Sequence, residues 1–363
     1  MRVLKVLLLI VSFTAPFAVI AEHEHEAESH ESHAEEEFNA TEVIMHHISD
    51  AHEFHIVGDL AVYLPIILWT DNGLDVFSSS HFYHNTIHIK GHENEHAYQY
   101  KSEKGNYILF HEKIYEADSD SGTLTMEDGH ATNVKPLDIS ITKNVFSMFV
   151  SVFFLIIIFF PVAAHYKKNK GAPKGMAAFM EPLILFVRDD IAKPNIGPKY
   201  GKYMPYLLTI FFFVWVNNLI GLVPFFPFSA NLSGNIGFTL TMAAITLIVI
   251  LLSSNGNYWR HIFATPGVPV WLLPIMIPVE LMGVIAKPFA LMIRLFANIT
   301  AGHIVVLSLV SLIFIFKNAG MAGVSVPFTL FISVLELLVA ALQAYIFTML
   351  SALFIGQAVE EHH

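Results

Sequence analysis

Cysteine is absent from all 363 residues. That excludes a disulfide framework and any thiolate metal site. The spacing GxxxxGK[ST] is missing too, so no phosphate-binding loop and no nucleotide chemistry are expected of this chain. Charge is scarce: Asp, Glu, Lys and Arg make up 14% of the residues, against about 25% in soluble domains. Beyond residue 205 only Arg260, Glu280, Lys287, Arg294, Lys317, Glu336, Glu360 and Glu361 remain. With 54% hydrophobic residues, the first reading is a membrane protein. The net charge of -11 arises mainly in the N-terminal part.

What is present changes along the chain. Residues 1–21 read as a secretory signal peptide, with Arg2 and Lys5 ahead of the apolar run Val6–Ile20 and a cleavage site at Val19-Ile20-Ala21. An uncleaved anchor helix is the alternative. Residues 22–37, EHEHEAESHESHAEEE, are acidic, His-rich and without apolar periodicity, which predicts disorder. Residues 38–137 form an exported extension with strand-like pieces, AVYLPIILW, NTIHIKG and NYILFHEKIYEA, parted by turn residues. It reads as a small β-rich domain or a loosely ordered segment.

From there on the pattern is helical and apolar. Val145–Ala164 carries no charge over a length sufficient to cross a bilayer. Lys167, Lys168, Lys170 and Lys174 follow, and the positive-inside rule makes that loop cytoplasmic. MAAFMEPLILFVRDDI reads as an amphipathic helix on the cytoplasmic surface. Tyr203–Val223 and Ile236–Leu252 are the next two spans. Val268–Phe316 has Pro269, Pro274, Pro278 and Pro288 in its first half, which predicts a short interfacial piece and then one long helix. A last helix, from Val326 to about Gly356, returns the C-terminus to the cytoplasm and leaves 359–363 as a tail. The fold class is therefore an all-α polytopic membrane protein of about five transmembrane helices. The final pair is long and tilted, and the amphipathic helix and exported extension complete the chain.

Arg294 poses the chemical question. An arginine keeps its proton, and at a bilayer centre it costs roughly 2.5–3.5 kcal/mol on insertion scales. Glu280, Lys287 and Arg294 are spaced by seven and so share a stripe, since seven helical residues drift only about 20°. Asn298 lies one turn beyond Arg294, whereas His303, nine past it, faces the other way. Glu336 and Gln343, again seven apart, share a face of the last helix. Ionisable residues in such segments face a partner, a cavity or an ion path. Arg294 cannot shuttle protons, but His303 and Glu336 can. The blander readings are a surface pair for Glu280 and Lys287, hydrogen-bond glue for Asn298 and Gln343, and an Arg294–Glu336 ion pair.

Three stretches carry a family likeness: AKPFALMIRLFANITAGH, LELLVAALQAYIFTMLSALFI and FFFVWVNNLIGLVPF. The first resembles the signature of subunit a of the F-type ATP synthase, the second that family's last helix, the third its second span. The similarity covers residues 138–358. It implies a non-catalytic stator subunit of the Fo sector in the cell inner membrane, with no cofactor. Its partners would be the c ring, the subunit b stalk, the F1 sector and membrane lipid, and no nucleic acid. By the same resemblance Arg294 is the stator arginine facing the ring carboxylates between two aqueous half-channels, and Gln343 is the glutamine beside it. His303 and Glu336 match a pair lining the exported-side half-channel, here with the histidine first and the acid second. Asn218 matches a polar channel residue. Three positions on, where some members carry an acid, this chain has Gly221. Glu280 matches a residue at the cytoplasmic half-channel and Asp138 an acid at the entrance of the first span. The implied activity is proton flow coupled to ring rotation and ATP synthesis.

The extension departs from that pattern: 15 of the 20 histidines lie between residues 22 and 144, many beside Glu. Such density can bind Zn, Cu or Ni, yet the spacing is irregular and no ligand set follows from it. The alternative function is a metal or other cation transporter fed by this His-rich segment. It explains Arg294 poorly, because a fixed cation obstructs a cation path.

Overall fold

In the computed structural model the residues described are 40–360, apart from 58–59, 84–85, 90–91, 118–123, 128–129, 169–171, 224–227, 229 and 265–268. The expected signal peptide, the acidic segment 22–37 and the last three residues of the tail lie outside them. The chain divides into two compact units, one of residues 1–146 with 224–230, the other of residues 147–223 with 231–363.

The first unit opens with helix α1 (Ala40–Ile48) and continues as antiparallel sheet. Strands β1 (Glu53–Val57) and β2 (Leu60–Tyr63) form a hairpin. Strands β3 (Pro65–Thr70) and β4 (Gly73–Ser78) pair beside β11 (Leu137–Asp138). Strands β5 (Thr86–Ile89), β6 (His92–Lys101), β7 (Asn106–Phe110) and β8 (Lys113–Glu116) make a four-stranded meander. The short pair β9 (Met126–Glu127) and β10 (His130–Ala131) completes it. Each of the three strand-like stretches contains strand, and β3 alternates: Ile66, Leu68 and Thr70 point inward while their neighbours stay accessible. Their inner faces meet Phe82, Tyr107, Leu109 and Ile114 in one core.

Helix α2 (Lys143–Lys168) starts in this unit. Asp50 caps it from far away in the chain: its carboxylate accepts the Asn144 N–H at 3.1 Å and the Thr142 hydroxyl at 3.0 Å. The first N–H groups of a helix have no partner within it, so this carboxylate satisfies one of them.

The second unit is helical. Helix α3 (Met176–Phe186) runs through a π-helical turn, Val187–Ala192, into α4 (Lys193–Ile196) and then α5 (Tyr200–Gly221). Its amphipathic reading is reflected in burial: Ala177, Met180, Val187 and Ile191 lie in the core at helical spacing. Helices α6 (Ile236–Ser253), α7 (Gly256–Phe263), α8 (Leu273–Ile315) and α9 (Ala319–Val359) follow. Five segments are long and apolar enough to cross a membrane: α2, the Met176–Gly221 run, α6, α8 and α9. At about 1.5 Å per residue, α8 and α9 are roughly twice as long as a ~30 Å hydrocarbon layer is thick, so they cross it obliquely or project beyond it.

One expectation about α8 needs correcting. Among the described residues the short piece is a 3-10 turn, Val270–Leu272, and the long helix follows at once, so Pro278 and Pro288 sit inside α8 rather than before it. Pro274 falls in the first turn, where its missing N–H is no loss. In an apolar surrounding, breaking the helix would leave many more backbone groups without a partner than one internal proline frees, so the helix continues. Helix α9 likewise begins before Val326 and runs through Pro327. Between them Lys317 turns the chain at φ 46° and Asn318 accepts the Gly320 N–H at 2.8 Å.

Helix α9 is the central element, packed along α8 and α5, while α6 lies along α8. Ala340, Ala344, Thr348 and Ala352 are buried four residues apart. Small side chains at that spacing let helices approach closely where no hydrophobic driving force acts between them. Near its end Gly356 has no room for a Cβ, because the Asn195 carbonyl of α4 occupies that place.

Candidate functional site

The polar residues of the helical unit gather in three groups along α8 and α9. At the first, Leu291, Met292, Leu295 and Ile299 turn α8 inward, which leaves Arg294 and Asn298 on its exposed face. Asn298 Nδ2 donates to Gln343 Oε1 at 3.1 Å, and Gln343 is buried behind it. Among the described residues no hydrogen bond or ion pair reaches Arg294, so the Arg294–Glu336 pair is not formed. A permanent cation therefore stands on an open apolar face beside a fixed amide pair.

The second group lies about half a turn round and nine residues on. His303 Nδ1 is 3.2 Å from Glu336 Oε1, and its Nε2 is 3.2 Å from the carbonyl of Gly221. Both side chains are largely buried, at 14% and 15% exposure. The two neighbours of the ring are acceptors, so protons must be present to satisfy them. Either the imidazolium donates both ways, or a protonated Glu336 donates to Nδ1 while Nε2–H donates to Gly221. One proton moved along one hydrogen bond converts these states.

Asn218 adjoins the pair. It is buried, its Nδ2 donates to the Ala340 carbonyl one turn beyond Glu336 at 3.2 Å, and its Oδ1 accepts the Ser233 hydroxyl at 2.5 Å. Helix α5 thus contributes Asn218 and, a turn later, the Gly221 carbonyl. The position where an acid was expected to be missing supplies a backbone acceptor instead. Two residues escaped the sequence reading. Ser233 sits in a 3-10 turn outside any periodic segment. Gly302 leaves the room that the Glu336 carboxylate occupies, since a Cβ there would meet it and the carboxylate would have to shift. The small residues Ala301-Gly302 before His303 were the only signal.

Glu280 belongs to a third place. It lines a cavity of ≈ 320 Å³ with Tyr258 and His261 of α7, Lys287 of α8, and Gln357 and Glu360 at the end of α9. Lys287 Nζ donates to Gln357 Oε1 at 2.8 Å and lies 5.4 Å from the Phe354 ring centre. Glu280, Lys287 and Arg294 share a helix, but only the first two share this cavity.

Asp138 stands in the other unit, exposed at the end of the edge strand β11. Its Oδ1 accepts the Ser140 N–H at 2.8 Å, and its Oδ2 is 3.9 Å from Nε2 of the buried His52. Among the described residues no cluster of three or more His, Asp or Glu side chains could hold a metal ion.

An open-faced arginine with an imidazole–carboxylate pair behind it, on long apolar helices, defines a class: a multi-pass membrane protein with an ion-handling site. Residues 145–356 match the family described as ATP synthase A chain. The relative "ATP synthase subunit a" of Chloroherpeton thalassium is 49% identical over 257 residues, covering 65% of this chain and 76% of its own. "ATP synthase subunit a 2" of Prosthecochloris aestuarii is 42% identical and covers 82% of this chain and 91% of its own. "ATP synthase subunit a" of Myxococcus xanthus is 45% identical over 62% of this chain and 75% of its own. The chain belongs to the ATP synthase A chain family. Residues 43–139 match a second family, described as a domain of unknown function (DUF8433). The alternative of a self-contained cation transporter gains no support from these likenesses.

Proposed function

We propose that this chain is the proton-translocating stator subunit a of the ATP synthase Fo sector, and that it does not itself carry out chemistry on nucleotides. The observation that carries the reading is Arg294, a permanent cation on an exposed apolar helix face with no carboxylate partner among the described residues. A charge so placed needs an opposite charge from outside the chain. A carboxylate on the neighbouring c ring meets that need whenever it is ionised.

The rest of the path is taken from the family resemblance, and the contacts of Asn218, His303 and Glu336 support its middle part. A proton arriving from the exported side passes Asp138, then Asn218, Glu336 and His303, and neutralises a ring carboxylate. The neutral site can then turn through lipid, where an ionised one would be too costly. On the far side the proton leaves by Glu280, and the re-ionised carboxylate returns to Arg294. The arginine also repels protons and so blocks a direct leak between the two half-channels. Gln343, bonded to Asn298, holds the face beside Arg294 in one shape. The subunit b stalk and the F1 sector would anchor the chain against the turning ring. The lysine-rich loop after α2 supports a cell inner membrane location with the extension exported and the C-terminus cytoplasmic.

The test is ATP-driven acidification of inverted vesicles carrying Arg294→Ala, with assembly of the complex verified. Loss of pumping in an assembled complex is the expected result. Pumping near the wild-type rate would make the arginine merely structural and overturn the path.

A further inference from the structure

We infer that His261 and Glu360 are the terminal proton exchangers of the Glu280 cavity, passing protons between Glu280 and the aqueous phase. The proposal rests on Glu280 being the acid of the cytoplasmic half-channel; the resemblance assigns no role to either of the other two.

The cavity is the first support. Its ≈ 320 Å³ is ample for a chain of waters. Three elements close around it: α7, the first half of α8 and the end of α9. Helix α7 is amphipathic, with Ile262 buried as its anchor. Tyr258 and His261 are three residues apart on that helix, hence on one face, and both line the cavity.

The second support is the division of labour among the titratable groups. Those facing the cavity are Tyr258 and His261 from α7, Glu280 and Lys287 from α8, and Glu360 beyond α9. Lys287 is occupied, held to Gln357 at 2.8 Å. Burial pushes the Tyr258 phenol up, and the Glu280 carboxylate pushes the same way. A phenol so placed keeps its proton at neutral pH and serves as wall, not carrier. That leaves two carboxylates and one imidazole. Glu280 lies within α8, whereas His261 and Glu360 are exposed at the rim. An imidazole changes charge near neutral pH, which suits it to take a proton from a dilute medium and hand it on through water. The transfer is balanced: a proton from bulk water binds His261 or Glu360, and a water chain delivers one to Glu280. Proton release runs the same steps backwards.

The experiment uses the assembled complex in inverted vesicles, where the cytoplasmic face meets the medium, and compares initial pumping rates with ATP hydrolysis. His261→Gln should pump about tenfold more slowly at pH 8, a modest loss for an acid–base group because water still fills the cavity, and near normally at pH 6.5. A membrane-impermeant sulfonate buffer with a pKa of ~6.5 should restore the rate at pH 8 by delivering protons in place of the imidazole. Glu360→Gln should shift the same pH profile in the same direction, which keeps the test valid if His261→Gln does not assemble. Profiles that superimpose on wild type, or losses independent of both pH and buffer, overturn the proposal. If Glu280→Gln also pumps normally while Arg294→Ala does not, the cavity is off the path: this inference falls and the stator reading stands.

Discussion

The contact between His303 and Glu336 that a proton would cross depends on the small residue beside it. Gly302 lets the Glu336 carboxylate reach the ring at 3.2 Å where a Cβ would exclude it. Gly302→Ala should therefore push the carboxylate away without adding or removing a charge. On the proposed path, ATP-driven pumping of the assembled Gly302→Ala complex falls by about tenfold or more, in the range of a lost acid–base partner. Adding Glu336→Asp, which is one methylene shorter, should recover part of the rate. Wild-type pumping by Gly302→Ala alone would refute the requirement for this close approach. The same scale shows the limits of spacing arguments. Glu336 and Gln343 sharing a face was readable at seven residues, yet one meets a histidine and the other an asparagine.

At the scale of elements, helix α2 begins on a borrowed cap. Burial raises the Asp50 carboxyl above its ordinary value, although the Asn144 N–H and the Thr142 hydroxyl pull it down. A raised acid binds more protons folded than unfolded, so its contribution to stability is present below the ordinary carboxyl range and is lost as pH rises through the raised value. The urea midpoint of the extension, followed by near-ultraviolet circular dichroism on the full chain, should thus fall with rising pH across that window. The slope is at most ~1.4 kcal/mol per pH unit for one proton. Asp50→Asn should flatten it. An equal slope in the Asn variant would show that Asp50 is not the group responsible. Elements were also the most legible part of the sequence. Ile236–Ser253 is marked by a charge-free, mostly apolar run, and the turn at Lys317-Asn318 by its residue types. The prolines of α8 misled because a rule learned in water, where freed backbone groups are solvated, was applied to a helix in an apolar surrounding.

The whole molecule holds two cores of different kinds. One packs Ile66, Leu68, Phe82 and Tyr107 between strands. The other packs Leu207, Phe211, Leu295 and Phe347 between helices. Because each unit buries its own apolar residues, heating the purified chain in detergent should give two transitions, with the extension's aromatic signal lost apart from the helical far-ultraviolet signal. Coincident loss of both signals would mean that the units fold as one. This division was foreshadowed by composition, since 15 of the 20 histidines lie between residues 22 and 144.

The spans and the stripes of polar residues were legible in the chain alone, because hydropathy and periodicity belong to single segments; the extension left two readings open. The sequence also singled out Arg294, since a permanent charge in an apolar run is costly wherever that run packs. The partners of those polar residues are set by how the helices pack. Asn298 meets Gln343 from 45 residues away, and His303 meets Glu336 from 33. Gly221 contributes a carbonyl that no side-chain pattern announces. Glu280 shares a cavity with His261 and Glu360 because three helix ends converge there. Such contacts depend on the register between helices, set by small residues such as Ala344 and Gly356 at their crossings. A shift of one turn would exchange every partner while leaving the hydropathy of each segment unchanged.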